Sequence, residues 1–203
     1  MLGTVTATTT APLGELVKIV GAMIPHVSKD RTRLALCSIA FDGATVTATN
    51  SYTAARYTAS GIVTAGNAML IDGKELFTAL TTLNKLSKAI SGMTATITAD
   101  GHEYLVQIDG VKNVHGGYVN NVEMPNVNHV IKNAGAKNTE IYSATGIDAD
   151  LLAAISTSHN RFVGKDGGLL VLSNWASPSK PMLFTTASDI GQLDQIVMPK
   201  RLK

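Results

Sequence analysis

Residues 68–83 read Ala-Met-Leu-Ile-Asp-Gly-Lys-Glu-Leu-Phe-Thr-Ala-Leu-Thr-Thr-Leu, and the apolar period changes in the middle of the run. Ala68 to Ile71 has the length of a short buried strand. Asp72, with Glu75 three residues on, forms a capping-box pattern that opens a helix. Leu76, Phe77, Leu80 and Leu83 then fall at helical spacing, so a strand is expected to run straight into a helix that ends near Ser87. Thr94–Thr98 and Tyr104–Ile108 follow as strands across an Asp100-Gly101 turn, and a less regular stretch covers Tyr118–Met124.

The same order recurs on either side. Upstream, Leu13, Leu16, Val17 and Val20 sit at helical spacing, with Pro12 suited to the first turn and Pro25 to the end. Strands are expected at 34–41, 44–49 and 54–59, separated by the turn formers Asp42-Gly43 and Asn50-Ser51. Downstream, Thr139–Ser143 reads as a strand and Asp148 as the N-cap of a helix carrying Leu151, Leu152 and Ile155. Strands at 169–172, 181–185 and 193–198 complete that round. The fold class is therefore α+β, built from three β-α-β-β-β units over 1–62, 63–125 and 139–203. Two units occupy 1–125, an Asn-rich linker spans 126–138, and a single unit occupies 139–203.

The chain has 203 residues, 45% hydrophobic and 16% charged, enough for a substantial core. Its net charge of +2 is too small to mark a nucleic-acid binder by composition, so any such contact must come from local placement. The lone Cys37, flanked by Leu36, Ile39 and Phe41, reads as a buried strand residue. No apolar run of membrane-spanning length occurs, and 1–11 lacks a basic start and an apolar core, so a cytoplasmic protein is expected.

Enzymatic readings find little support. His26, His102, His115, His129 and His159 show no metal-ligand spacing, and one cysteine cannot build a zinc site, so no metal or cofactor is expected. Gly73-Lys74 lacks the upstream glycine of a phosphate loop. Asp109, Asp148 and Asp150 form a carboxylate cluster only on paper, since Asp148 is better used as a cap. A hydrolase would rest on scattered His, Asp and Ser residues alone. Trp175, in the turn-like stretch 173–178, reads equally as strand-end packing or as an exposed anchor.

Four stretches carry a family resemblance. Ile196-Val197-Met198-Pro199-Lys200-Arg201-Leu202 resembles the C-terminal strand and Met-Pro-x-Arg-Leu tail of the bacterial DNA polymerase III β subunit, or β sliding clamp, family. Thr45–Tyr57 resembles a loop between two strands of that family's middle domain, with Asn50 in place of the usual acid. Asn67–Leu83 is similar to the strand and second helix of the same domain, and Glu123-Met124-Pro125-Asn126 to the interdomain connection. The short chain looks like a phage-encoded member.

The resemblance implies a ring-shaped processivity factor that is not an enzyme. About twelve units would form it, with helices lining a hole around duplex DNA and sheets forming the outer wall. It further implies a homo-oligomer that holds a replicative polymerase, and a clamp loader, through a short peptide motif. The peptide pocket, carried over by position, comprises Thr49, Tyr52, Phe77, Val197, Met198, Pro199 and Leu202. DNA-facing candidates are Lys18, Lys29, Arg31, Arg33, Lys85 and Lys88, with Lys132 and Lys137 in the linker. Three units per chain and about twelve per ring imply a tetramer; a trimer requires a further strand-helix element between Val114 and Lys137. The Thr- and Ala-rich composition also suits a self-assembling structural protein of the phage virion type, which would have no affinity for a polymerase peptide.

Overall fold

Strand β1 (Ala7–Pro12) runs without a loop into helix α1 (Leu13–Met23), with Pro12 held extended at φ −56° and ψ 135° at the junction. This computed structural model describes residues 7–58, 62–86, 92–100, 102–120, 122–134, 147–164, 169–175 and 180–198. A 3-10 turn at Ile24–His26 ends α1, where Pro25 cannot donate to the helical ladder. A helical turn, α2 (Leu34–Cys37), then precedes the antiparallel strands β2 (Ser38–Asp42), β3 (Thr45–Thr49) and β4 (Thr53–Thr58). The strand expected over 34–41 is thus cut short: the amides of Leu36 and Cys37 both donate to the Arg33 carbonyl, at 2.9 and 3.3 Å. Cys37 is buried as expected, and its thiol donates to the Asp30 carbonyl at 3.1 Å.

The second round comprises β5 (Val63–Ala65), β6 (Met69–Asp72), α3 (Gly73–Leu86), β7 (Thr94–Ala99), β8 (Glu103–Ile108) and β9 (Val111–Tyr118). Asp72 caps α3, its Oδ1 accepting from the Lys74 and Glu75 amides at 3.0 Å each. Within the stretch read as a linker lies a helix, α4 (Val127–Ala134), which buries Val127, Ile131 and Ala134. Then come α5 (Ala149–Val163), capped by Asp148 Oδ1 on the Asp150 amide at 3.0 Å, and β10 (Val171–Trp175), β11 (Met182–Ser188) and β12 (Gly191–Val197). The strand expected at 139–143 lies outside the described residues.

The first two rounds interlock by exchanging strands. Each lends the strand that runs into its helix to the other: β6 pairs with β2, Ile71 opposite Ile39, and β1 pairs with β7, Thr9 opposite Ile97. One sheet therefore runs β5-β1-β7-β8-β9 and the other β10-β11-β12-β4-β3-β2-β6. In the second sheet the last strand of the third unit, β12, joins the last strand of the first, β4. This seam places Asp194 opposite Arg56 and Ile196 opposite Ala54.

Helix α1 packs against both α3 and α5 on the inner side of the sheets. Its Leu13, Leu16, Ile19, Val20 and Met23 are fully buried in a core shared with Leu76 and Leu80 of α3 and Phe162 of α5. At about 2 kcal/mol per buried aliphatic side chain, those five contribute roughly 10 kcal/mol as an upper bound. Helix α4 covers the opposite face of the seam, burying Val127 and Ile131 against Ala54, Leu183 and Ile196.

Candidate functional site

An open groove of about 400 Å³ lies where the β4–β12 seam meets α4. One wall is the turn before β4. Asn50 Oδ1 accepts from the amides of Tyr52 (2.9 Å) and Thr53 (2.8 Å), Ser51 takes the left-handed backbone at φ 78°, and Thr49 Oγ1 donates to the Thr53 carbonyl at 2.9 Å. These bonds lock the turn and leave Tyr52 standing out, 64% exposed. The side-chain amide of Asn50 thus supplies what a carboxylate would supply at this position.

Opposite Tyr52, the chain leaves β12 with the Met198 amide donating to the Tyr52 carbonyl at 3.0 Å. Met198 is 38% exposed at the rim, and Ala54 and Ile196 form the floor. The second wall is Pro125, Asn126, Val127 and Val130, anchored by Asn126 Oδ1 accepting from the His129 amide at 2.9 Å; Pro181 closes one end. The lining is largely apolar and reaches the surface, a combination that marks a docking site more than it marks chemistry.

Of the positions expected in a peptide pocket, the structure brings Thr49, Tyr52 and Met198 together here. Val197 does not join them: side chains alternate along a strand, so Ile196 faces the groove while Val197 is buried on the other face with Ile155, Met182 and Phe184. Phe77 is also elsewhere. It sits between helices on the inner side, where the Arg161 guanidinium lies 5.5 Å from its ring centroid and a Cβ on Gly21 would come within 3.0 Å of its ring. Pro199 and Leu202 lie outside the described residues. Groove residues that were not anticipated include Val127 and Val130 of α4, Ile196 on the groove-facing side of β12, Ala54 of β4, and Pro125 and Pro181 from the connecting segments.

The basic candidates divide in the same way. Lys18 on α1 and Lys85 on α3 are exposed on the helix layer. Lys29 is exposed in the loop after α1. Arg31 is ion-paired with Asp72, and Arg33 donates to Ser51 Oγ at 2.9 Å, so both are engaged beside the turns they brace. Lys132 is exposed on α4, on the opposite face of the sheet. Lys88 and Lys137 lie outside the described residues. Arg161, exposed on α5, was not anticipated; it donates to the Gly21 carbonyl at 3.1 Å.

Beneath the groove His26 is fully buried. Its Nδ1 accepts from Thr53 Oγ1 (2.9 Å), and its Nε2–H donates to Gln195 Oε1 (3.2 Å), a tautomer assigned from these partners. Desolvation lowers its pKa to about 4, against a smaller opposing effect of the Gln195 bond, so the ring is neutral at pH 7. Among the described residues no three His, Cys, Asp or Glu side chains are placed to hold a metal, and no helix is long and apolar enough to cross a membrane.

No family model matches the chain, and no curated protein matches it in sequence. Solved structures do. The Thermotoga maritima DNA polymerase III β subunit superposes with a TM-score of 0.68 at 14% identity, over 97% of this chain and 66% of its own. This is the sliding-clamp fold. The Caulobacter crescentus β sliding clamp, which carries polyethylene glycol at a proposed β-motif tethering region, matches at TM-score 0.66 and 11% identity, over 100% of this chain and 67% of its own. A Pseudomonas aeruginosa sliding clamp bound to griselimycin matches at TM-score 0.65 and 12% identity, over 96% and 65%. The chain spans about two thirds of the length of these clamps.

Proposed function

We propose that this chain is a DNA sliding clamp: a non-catalytic, homo-oligomeric ring that encircles duplex DNA in the cytoplasm and tethers a replicative polymerase by a short peptide. The observation that carries this reading is the apolar groove at the β4–β12 seam, rimmed by Tyr52 and Met198 on a clamp fold. Peptide docking of this kind draws its affinity from a few buried anchors, and a groove with an aromatic and a methionine at its mouth can receive them.

The near-neutral charge suits the same role. A ring that must slide needs weak, exchangeable phosphate contacts, and Lys18 and Lys85 on the helix layer supply point charges without a dense basic patch. Three units per chain, 1–62, 63–125 and 139–203, and about twelve per ring favour four chains.

The deciding experiment loads the protein on closed circular DNA and then linearises it. A clamp stays bound to the circle at salt that removes surface-bound protein and slides off the linear form. A peptide of the cognate polymerase tail, labelled with a fluorophore, should bind the same protein. Retention unchanged by linearisation, together with no peptide binding, would reject the reading.

A further inference from the structure

No charged residue lines the groove at the β4–β12 seam, so that groove sorts partners by shape and apolarity and not by charge. A second recess, of about 520 Å³, adjoins it on the same face of the seven-stranded sheet. Pro125, Asn126 and Val127, where the chain enters α4, line both and form the wall between them. Every residue that lines the second recess is among those described.

Its floor is a cross-strand row, Leu70 opposite Ala40 and Ala40 opposite Thr47, all three less than a tenth exposed. The Thr47 hydroxyl makes no hydrogen bond to a described residue. A buried hydroxyl left in this state costs free energy, which a bound chain with backbone donors and acceptors recovers. The rim differs from that of the first groove. Asp42 at the end of β2 and Glu123 just before Pro125 both stand exposed there, and among the described residues neither joins an ion pair. Arg56, the neighbour of Thr47 across the sheet, is already neutralised by Asp194. Small apolar side chains below and two free carboxylates above suit a lysine or an arginine, whose stem lies along apolar surface while its head reaches the acids.

We propose that this recess holds a basic flank of the same partner peptide whose apolar anchors sit in the seam groove. The two grooves then read one segment, first by apolar shape and next by charge, and the start of α4 is the divide that the peptide crosses. This deepens the tethering reading and rests on it. The second contact is electrostatic and solvent-exposed, so it adds selectivity among partners and weakens with salt, whereas the anchors in the first groove do not.

The test titrates the full chain with the fluorophore-labelled polymerase-tail peptide, extended at one end or the other by four lysines or by four glutamines. Four residues reach about 13 Å when extended, enough to pass the dividing wall. At low salt the lysine extension at one end, and not at the other, is expected to bind about 5-fold tighter than its glutamine counterpart, the scale of two exposed ion pairs. High salt should erase that gain. Both readouts use the wild type, so they do not depend on a variant folding. Asp42→Asn/Glu123→Gln should abolish the gain and leave the glutamine peptides unchanged. Glu103→Gln/Asp109→Asn, which removes the same charge from the other sheet, should keep it. Binding with no lysine gain at either end, or a gain that both double variants lower alike, overturns the proposal and leaves the tethering role standing. If no form of the peptide binds, the tethering role falls and this inference with it.

Discussion

Arg56 of β4 and Asp194 of β12 stand directly opposite each other across the seam, paired at 2.6 Å, and the carboxylate also accepts from Thr185 (3.1 Å) and Gln192 (2.8 Å). Asp194 is buried, so its removal leaves a guanidinium facing a largely dry seam. Asp194→Ala should cost about 2–4 kcal/mol, toward the low end because Arg56 keeps 24% exposure. Urea unfolding checks this. Arg56→Met combined with Asp194→Leu should recover most of the loss, and a double variant as unstable as the single one would mean the pair does more than balance its own burial.

His26 ties the same seam from below, and it sets a pH dependence. Its pKa is about 4 in the folded chain against an ordinary value of 6.5, so the unfolded chain binds the proton more readily. Its contribution is therefore complete above about pH 6.5 and is lost as pH falls toward 4. The full loss is on the order of 3 kcal/mol. Measured at pH 7 and pH 4.5, wild-type stability should fall more steeply than that of His26→Asn. Parallel slopes would show that the ring is already charged, or is wetter than its burial implies.

The groove and the sheet's inner face can be separated by neighbouring residues. Met198→Ala and Tyr52→Ala should each weaken a bound polymerase peptide by roughly 10-fold or more, as anchors do, with little change in stability. Val197→Ala should do the reverse, costing about 1–2 kcal/mol of stability and sparing the peptide. Phe77→Ala should behave like Val197→Ala, because its ring packs among α1, α3 and α5. Calorimetric titration and denaturant curves on the four variants distinguish the two faces.

That pair of faces also marks where the sequence could and could not be read. The strand-to-helix junction at Asp72 was legible because a cap, an apolar strand and a helical period agree within 16 residues. The alternation along Ile196-Val197-Met198 was not, since three apolar residues in a row carry no period-2 signal and either face can be the inner one. Leu76-Phe77 posed the same problem on a helix. Helix α4 was hidden by its length: Val127, Ile131 and Ala134 share one face, but eight residues are too few to stand as a helix alone, and tertiary burial of that face holds it. Arg161 gave no signal, because its partners Gly21 and Phe77 are distant in the chain.

The helix layer makes a prediction of its own about DNA. Lys18 and Lys85 are exposed on α1 and α3, while Lys132 is exposed on α4, across the sheet from them. If duplex DNA lies against the helix layer, each lost phosphate contact should lower the slope of log K against log salt by about 0.9. Lys18→Glu and Lys85→Glu should therefore each flatten that slope for loaded circular DNA, and Lys132→Glu should leave it unchanged. Equal effects from all three would mean that only overall charge matters. An effect from Lys132→Glu alone would place the DNA on the outer face and remove the helix layer from the mechanism.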